Sequence, residues 1–478
     1  MGKVVFLWAM VTSFVASAQH NLGIATSDYS TINSIYLNPA NIAGCKEKIV
    51  VNFLSLNALY STDYGHVPKD DGTNDKSLGI TSIVFPGSNN FNAIFPAYDV
   101  RLPSFLVNFK DNNRQGIAIT TRYRTINQFT NCSQQLFNSL ANKDSTHLGY
   151  QYTNKDFRWL RNQWKEVDIT YGIVIAENNN SQFKAGITAR YLFGGYYMSL
   201  KGNKLELMTN PGDDTLYCSN TGMEFITNAA NENEYNNNSN PLFMDLFAPN
   251  TGSGMGFDFG MVLTNYINGE DIYNGRNDDP EEDMDFDDSR THRIRASVSI
   301  KDLGAITYKG ASSHLLNVGG HGVISTKDLI DQFHSADNIA SVTKAAGFNV
   351  NQGIPGDVKI YLPTSFVISL DYQFSKSYYA TLIYIRNSLN QVNAENTQNF
   401  VYDQITLVPR FDSRKASFSI PITYSMLGNR LVVGMAARAK GVFAGFDDTL
   451  IARGNKFHGF DGYMGYTIQI YPKKKRYF

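Results

Sequence analysis

Apolar and polar residues alternate along several long segments of the chain. From Val167 to Ala176, apolar side chains occupy every second position, with mostly small or polar residues between them. A polar turn, residues 177–181, leads into a second alternating segment from Phe183 to Phe193. A period of two indicates a β-strand with one apolar face. The two segments therefore predict a long antiparallel hairpin.

The same pattern recurs along the chain, which extends the prediction from one hairpin to a whole sheet. Clear alternation covers residues 255–264, 293–301, 365–374, 416–425 and 431–440, and weaker alternation covers 49–60, 100–110, 115–124 and 402–411. Strands of globular proteins average about 5–6 residues, whereas these reach about 9–12. Their length favours an all-β fold, a transmembrane antiparallel β-barrel with its apolar residues toward lipid. A secreted propeller or solenoid is the alternative, although the sequence shows no fixed repeat of about 20–50 residues.

Short and long connections alternate between the predicted strands. Polar turns at 112–114, 178–181, 375–377 and 428–429 are short, whereas the connections over 60–97, 125–165, 209–251 and 310–356 are long. In outer-membrane barrels short turns face the periplasm and long loops face outside. Two long loops carry short helical patterns, at Ser325–Phe333 and Cys132–Leu140. We expect these helices to cover the barrel mouth.

The N-terminus has the three parts of a secretory signal. Lys3 supplies the positive charge, residues 4–15 are apolar, and Ala16-Ser17-Ala18 is a small-x-small cleavage site. Residues 1–18 are therefore predicted to be a signal peptide, cleaved near Ala18 to leave Gln19 as the first mature residue. A membrane anchor is the weaker interpretation, because a spanning helix needs about 20 apolar residues. With a barrel fold, this signal predicts the cell outer membrane of a Gram-negative bacterium.

The composition fits a barrel better than a soluble protein of several domains. Among the 478 residues, 18% are charged and 13% are aromatic, whereas soluble domains carry about 25% charged residues. In a barrel, aromatic and apolar residues face lipid, and uncharged polar residues face the lumen and loops. The net charge of -1 excludes a generic nucleic-acid binder, since such proteins need an excess of cations to replace phosphate counterions.

Charged residues on the polar strand faces are candidates for the lumen. We expect nine of them to point inward: Asp168, Lys184, Arg190, Asp258, Arg295, Lys301, Asp371, Arg438 and Lys440. Structural ion pairs that fill a narrow interior are one interpretation. An anion-selective path is the other.

No sequence motif carries an enzymatic or metal-binding signature. Asp283, Asp285 and Asp287 have the first spacings of a calcium loop, but Asp288 and Ile294 stand where Gly and Glu are required. They remain weak metal candidates in an acidic loop that spans residues 278–288. The eight His residues form no HExxH or Cys/His pattern, and no nucleophile elbow occurs. We expect no cofactor and no catalytic activity. Cys132 and Cys218 fall in predicted long loops and could form a disulfide.

Three short motifs carry a resemblance to known outer-membrane proteins. The segment Tyr36–Ala43 reads YLNPANIA, and its Asn38, Pro39 and Ala40 look like the "NPA" segment of FadL-like and PorV-like proteins. Residues 254–260, followed by residues 299–304, are similar to paired strands of this group. The whole chain resembles an uncharacterised Bacteroidetes outer-membrane family, a domain of unknown function. The connection over residues 269–288 departs from the group, in which it is usually tight.

The resemblance implies a layout and two functions. Residues 19–47 would form an N-terminal plug, residues 48–471 a barrel of about 14 strands, and residues 472–478 a basic tail. The last strand, Tyr463–Tyr471, resembles the signal that outer-membrane insertion machinery reads. The tail itself is either solvated or attracted to anionic lipid.

The function stays open between three classes of protein. FadL-like members admit hydrophobic molecules, which predicts passive transport of small hydrophobic molecules through the plugged barrel. PorV-like members act in type IX secretion, which predicts a non-conducting accessory or assembly partner of a surface complex. A secreted soluble binding protein is the third hypothesis. The expected partners are outer-membrane lipid, and either a hydrophobic small molecule or another protein, with no nucleic acid.

Overall fold

The computed structural model describes residues 21–62, 90–109, 114–133, 151–178, 180–209, 215–228, 250–266, 292–325, 336–375, 377–387, 403–426, 430–448 and 459–471. The predicted signal peptide, the basic tail and the acidic loop with Asp283, Asp285 and Asp287 lie outside these described residues. The predicted helix at Ser325–Phe333 falls outside them as well, apart from Ser325 itself.

The described chain is built almost entirely of antiparallel strands. In chain order the strands are β1 (Ile49–Thr62), β2 (Asn90–Arg101), β3 (Ser104–Phe109), β4 (Gln115–Ser133), β5 (Gln151–Glu177), β6 (Ser181–Thr209), β7 (Thr215–Thr227), β8 (Gly252–Tyr266), β9 (His292–Tyr308), β10 (His314–Ser325), β11 (Asn349–Gly353), β12 (Val358–Tyr361), β13 (Ser365–Ser375), β14 (Tyr378–Asn387), β15 (Gln404–Asp412), β16 (Ala416–Ser419), β17 (Ile422–Ser425), β18 (Arg430–Val433), β19 (Met435–Ala439), β20 (Val442–Asp448) and β21 (Gly459–Ile470).

These strands close into a barrel of 14 strands, as the alternation and the resemblance predict. The last strand pairs with the first, from Ile49 opposite Ile470 to Ser61 opposite Gly459. Four barrel strands are each interrupted once, as β2/β3, β12/β13, β16/β17 and β18/β19. Three of the gaps contain a proline: Pro103, Pro363 or Pro421. Proline has no backbone N–H to donate, so the strand ladder is interrupted there. Gly434 lies in the fourth.

The two faces of each barrel strand differ sharply in exposure. On β5, Ile169 is 52% exposed, whereas its neighbour Asp168 is 1% exposed. The same alternation runs along β8, where Met261 is 52% exposed and Val262 is buried. An apolar outer belt over a largely polar interior is typical of a barrel that crosses a bilayer. Among the described residues, no helix is long and apolar enough to span one.

The barrel has two unlike ends. At one end, which we name the turn end, short turns join β3 to β4, β5 to β6, β13 to β14, β15 to β16 and β19 to β20. At the other end, β7, β10 and β11 form a sheet that continues from residues 198–209 of β6. We name this the lobe end. Because β7, β10 and β11 pair only with β6 and with one another, they add no strand to the barrel wall.

Strands occupy much of the sequence in which the alternation predicts long loops. Residues 125–165 are not one loop, since β4 continues to Ser133 and β5 begins at Gln151. Cys132 therefore lies in a strand and not in the predicted helix. The expected loops over 209–251 and 310–356 contain β7, β10 and β11, and the second also holds a helix over Ala336–Ala345. Cys132 and Cys218 are both buried, and no disulfide joins them.

The lobe has a hydrophobic core of its own. It consists of Phe157, Tyr196, Met198, Leu200, Cys218, Phe225, Leu316, Val318, Ile324, Ala336, Ile339, Ala340 and Phe348. Here the period of two disappears: residues 196–200 of β6 are all buried, because both faces of the strand are covered. The sequence signal for the lobe is this loss of alternation.

The N-terminal segment lies inside the barrel. It contains two short helices, α1 (Leu22–Ala25) and α2 (Thr31–Ser34), and a 3-10 helix, η1 (Pro39–Ile42). A further 3-10 turn, η2 (Gly310–Ser312), and the helix α3 (Ala336–Ala345) lie at the lobe end. Nearly every residue from Asn21 to Ala43 is buried. We name residues 21–47 the plug.

Replacing Leu316 with Ala should loosen the lobe and leave the barrel closed. Leu316 is fully buried in the lobe core, and truncating such a side chain costs about 2–5 kcal/mol. Faster amide exchange in β7 and β10, with unchanged heat-modifiable gel migration, would measure this. Val323→Ala is the matched control, since Val323 is 44% exposed on the same strand. Equal exchange in both variants would contradict a separately packed lobe.

Candidate functional site

Four glycines stand side by side across the barrel wall beneath the plug. Gly116 of β4 is opposite Gly172 of β5, which is opposite Gly186 of β6. Gly186 is in turn opposite Gly260 of β8, and Gly260 is opposite Ser299 of β9. We name these five positions the glycine row. Because none of the four glycines has a side chain, the row forms a shallow groove in the inner wall.

The NPA turn of the plug lies in this groove. A Cβ atom on Gly186 would lie 2.5 Å from the backbone nitrogen of Ala40, and one on Gly116 would lie 2.8 Å from the Ile42 side chain. A Cβ atom on Gly260 would overlap the Asn38 side chain. Only glycine allows the plug backbone to approach the wall this closely. The close approach of the plug therefore explains why four neighbouring strands carry glycine at positions that are paired in register.

Asn38 fastens the turn with both ends of its side-chain amide. Its Oδ1 accepts a hydrogen bond from the Ala40 nitrogen at 2.9 Å and caps the 3-10 helix, with proline at the first helical position. Its Nδ2 donates to the carbonyl oxygens of Met261 and Val298, both at 3.0 Å. Those two residues are register partners on β8 and β9. Ser299 adds a hydroxyl that donates to the Leu37 carbonyl at 2.6 Å.

A network of buried charges on β2, β4 and β5 holds one side of the plug. Arg122 bonds Asp99 at 2.8 Å and Glu166 at 2.9 Å. Arg101 also bonds Asp99, and it donates to Oδ1 of Asn33 in the plug at 2.8 Å. The Tyr36 ring of the plug lies 4.1 Å from the Arg101 guanidinium and 4.5 Å from that of Arg122. Such cation–π contacts are strongest where water is excluded.

The same network continues to β6, β8 and β9. Arg190 forms ion pairs with Asp258 and Asp302, and Arg124 bonds Asp302 at 3.1 Å. We name the whole set the upper network: Asp99, Arg101, Arg122, Arg124, Glu166, Asp168, Arg190, Asp258, Lys301 and Asp302. It contains as many acids as bases, and its members are buried. Its charges therefore balance without a ligand.

A second network joins the plug to the wall nearer the turn end. His292 lies between two carboxylates, with Nε2 2.7 Å from Asp371 and Nδ1 3.3 Å from Asp28 of the plug. Arg295 bridges the same two acids at 2.6 and 2.9 Å. Arg410 bonds Asp371 at 2.8 Å. Both ring nitrogens of His292 can donate only when the imidazole carries its charge. We name this group the lower network.

Two plug carboxyls show how the interior sets their charge. Burial alone would raise the pKa of Asp28, but the neighbouring Arg295 and His292 hold that pKa well below its usual range. Burial raises the pKa of Glu47, and the hydrogen bond from the Thr31 hydroxyl at 2.6 Å offsets this only in part. Asp28 is therefore the charged anchor of the plug.

Asp28, His292 and Asp371 are also the one group of described residues with metal-ligand spacing, with their ligand atoms within 4.8 Å of one another. Arg295 and Arg410 already occupy the same carboxylate oxygens. A cation placed there would face two guanidinium groups. In this structure the two guanidinium groups make it an ion network.

Most of the predicted lumen charges are buried on the inner wall. Lys184 donates to the Ala43 carbonyl of the plug at 2.9 Å, and Arg438 donates to the carbonyls of Ser413, Arg414 and Lys440 in two adjacent turns. The expectation for Lys440 is wrong. Lys440 is exposed, with φ of 54°, because it makes the turn between β19 and β20.

Several site residues have no signal in the sequence that we recognised. They are His292 and Arg410 in the lower network, and Asp99, Arg101, Arg122, Arg124, Glu166 and Asp302 in the upper network. Most lie where the period of two is irregular: Asp302 has φ of 55° beside a bulge in β8 and β9. All of them are titratable side chains within strands, which by itself does not tell a site residue from any other.

These features define a class: a closed antiparallel barrel whose lumen is filled by its own N-terminal segment. Within that class, residues 34–447 match the model described as "Family of unknown function (DUF5723)", and the chain belongs to this family. The resemblance to a family of unknown function is thereby confirmed. No curated protein matches the sequence.

Solved structures of similar layout are distant in sequence. The toluene transporter TbuX of Ralstonia pickettii is 10% identical, with 96% of this chain and 100% of that chain covered and a TM-score of 0.44. The toluene transporter TodX of Pseudomonas putida is 6% identical over 95% and 97%, with a TM-score of 0.32. A FadL homologue of Pseudomonas aeruginosa is 8% identical over 95% and 96%, with a TM-score of 0.28. Likenesses this distant carry no functional argument.

Replacing Gly260 with Ala should lift the NPA turn off the wall. The added methyl group would occupy the position of the Asn38 side chain, so either the plug or the strand must move. We expect a higher single-channel conductance in planar bilayers. Gly222→Ala on β7 is the control, since no atom lies within 4 Å of the added carbon. If the two variants conduct alike, the row does not dock the plug.

Replacing Asn38 with Asp should release the turn without changing its shape. The aspartate keeps the cap to Ala40 but loses both donors to the wall and places negative charge against two carbonyl oxygens. We expect plug docking to weaken by on the order of 3 kcal/mol, measured as protease sensitivity of residues 21–47 in detergent. Asn41→Asp is the matched control, because Asn41 donates only within the plug, to Ser34 at 3.2 Å. Equal sensitivity in both would count against the clamp.

Proposed function

We propose that the protein is an outer-membrane barrel through which small hydrophobic molecules diffuse passively when the plug shifts. The signal sequence would direct export, with cleavage near Ala18. One observation carries the proposal. Within the described residues, no backbone–backbone hydrogen bond joins residues 21–47 to the wall. The plug is held by side chains alone, so it can leave the wall without breaking the strand ladder.

The inner wall carries a packed apolar layer toward the lobe end. Its inward residues form one cluster: Ala97, Ile126, Leu160, Trp164, Leu192, Tyr197, Ile306, Tyr308, Ile360 and Leu362. All of them are buried, and the rings of Tyr197 and Tyr308 lie 4.3 Å apart. Elsewhere the inner wall combines polar residues with apolar residues that the plug covers, such as Val367 and Ile383. An apolar layer inside a polar lumen favours a hydrophobic solute over an ion or a sugar.

The accessory role in a secretion complex is the other prediction from the sequence. No feature of the described residues favours it. It is therefore an outcome of the test and not a second proposal.

Deleting the gene in its host should abolish uptake of at least one small hydrophobic probe. Toluene is the first probe, because it is small, apolar and uncharged and so matches the apolar layer on the inner wall. Glucose is the polar control, and its uptake should not change. Re-expression of the Asn38→Asp variant should restore toluene uptake to at least the wild-type rate. If uptake of every apolar probe is unchanged and the protein co-purifies stably with a surface complex, the transport proposal is wrong and the accessory role is favoured.

A further inference from the structure

One buried amide in the apolar layer of the inner wall uses only one end of its side chain. Asn162 of β5 is opposite Ile126 on β4 and opposite Tyr197 on β6, and both neighbours belong to that layer. Asn162 is fully buried. Its Oδ1 accepts a hydrogen bond from the Tyr308 hydroxyl at 2.6 Å. Its Nδ2 has no hydrogen-bond partner among the described residues.

Two glycines seat the tyrosine that orients this amide. Gly194 of β6 is opposite Gly252 of β8, and Gly252 is opposite Tyr308 of β9. A Cβ atom on either glycine would lie 2.7 Å from the Tyr308 ring. The ring therefore lies in a recess that only glycine leaves open. Because its hydroxyl donates to Oδ1 of Asn162, the amide is held with Nδ2 as its unused end.

An unused donor at this place has an energetic consequence. A buried polar group without a partner costs free energy, and folded proteins contain few of them. Ile126 beside the amide has no acceptor, and the Tyr197 hydroxyl forms no hydrogen bond with it. A solute that carries an acceptor oxygen would satisfy the Nδ2 donor, whereas a pure hydrocarbon would leave it unsatisfied.

The surroundings of Asn162 favour a neutral solute. Trp164 lies between the apolar layer and the upper network, since its Nε1 donates to Glu166 at 3.0 Å and the Arg124 guanidinium lies 4.9 Å from its ring. Both charges belong to that balanced network. A charged solute would bring an uncompensated charge into the layer, which costs more than one hydrogen bond returns. One amide donor therefore matches one acceptor oxygen on an otherwise apolar body.

We propose that Asn162 selects, among the small hydrophobic solutes of the proposed transport, neutral molecules with one carbonyl oxygen, such as ketones. Nδ2 donates to that oxygen during passage. The inference rests on the proposed function and names its preferred class of solute. Because the layer is packed, a solute reaches Asn162 only when side chains of the layer separate. Tyr308 is a positioning residue, since it holds the amide without contacting the solute.

Two solutes of one shape separate the hydrogen bond from hydrophobicity. Acetophenone and α-methylstyrene differ only in that a methylene group replaces the carbonyl oxygen. Their dissociation constants are measured for the purified full-length protein in detergent, as wild type and as Asn162→Leu. We expect Asn162→Leu to weaken acetophenone binding roughly fivefold and not to weaken α-methylstyrene binding. Equal changes for the two solutes would overturn the selection.

A control variant and a second test variant accompany this measurement. Asn127→Leu is the matched control, because Asn127 faces the lobe side of the wall, where its Oδ1 accepts from Trp159 Nε1 at 2.6 Å. It should change the binding of the two solutes equally. Tyr308→Phe keeps the amide but removes the bond that holds it, so we expect a smaller preference for acetophenone. A preference equal to that of the wild type would contradict the positioning role.

Infrared spectroscopy gives a readout that needs no variant. A hydrogen bond lowers the C=O stretching frequency, so acetophenone bound to the wild-type protein should absorb at lower wavenumber than acetophenone in cyclohexane. A band at the cyclohexane position would overturn the proposed bond. A lowered band that persists in Asn162→Leu would assign the bond to water and overturn the proposal as well.

Failure of this inference and failure of the proposed function give different results. If deletion of the gene leaves toluene uptake unchanged, the proposed function is wrong and the inference falls with it. If toluene uptake is lost on deletion, but neither the binding ratio nor the carbonyl band depends on Asn162, transport stands and only the selection by Asn162 is wrong.

Discussion

Closure of the barrel buries polar side chains in its interior, and the rest of the structure depends on how those side chains find partners. Every second residue of a barrel strand points inward, and in this chain many of those residues are charged. Asp99, Arg101, Glu166 and Arg190 are all buried. A buried charge is tolerated only when it is paired and hydrogen-bonded. The inner wall therefore carries networks and not isolated charges, and the plug supplies the partners that the wall lacks.

The plug meets this demand at several places along its length. Asp28 completes the lower network, Asn33 and Tyr36 contact Arg101 in the upper network, and Asn38 binds the glycine row. Near its start, Leu22 and Gly23 donate to Asp447. Each contact is a side chain against a backbone or another side chain. A ladder of backbone hydrogen bonds would have made the plug a further strand of the wall.

The sequence predicts the wall well and the contacts across it poorly. Alternation is a local property, so residues such as Ile169 and Asp168 reveal their faces without knowledge of the fold. The alignment of Gly116, Gly172, Gly186 and Gly260 depends on the register of four strands, and a slip of one residue in any strand would destroy it. No local pattern contains that information. The sequence reveals the NPA motif but not the groove that receives it.

The remaining differences between prediction and structure have the same origin. A charge such as Lys440 continues the alternation of its strand, yet the strand ends in a turn at that residue, so the side chain is exposed. The alternation does not predict the lobe, because β5 and β6 lose their period of two once both faces are covered. His292 begins β9 directly after the acidic connection, and its role arises only because Asp371 and Asp28 approach from β13 and the plug.

The strand ladder of the wall needs no hydrogen bond from the plug, whereas some buried charges of the wall are paired with plug residues. Asn38 donates to carbonyl oxygens of β8 and β9, and a carbonyl oxygen can accept two hydrogen bonds. The plug can therefore leave without cost to the ladder. Asn33 and Asp28, by contrast, would leave Arg101 and Arg295 without their plug partners, and water would have to replace them. A shifted plug thus hydrates the charge networks. An apolar solute would gain nothing from that hydrated region, so its path through the lumen should follow the apolar layer around Trp164 and Tyr308.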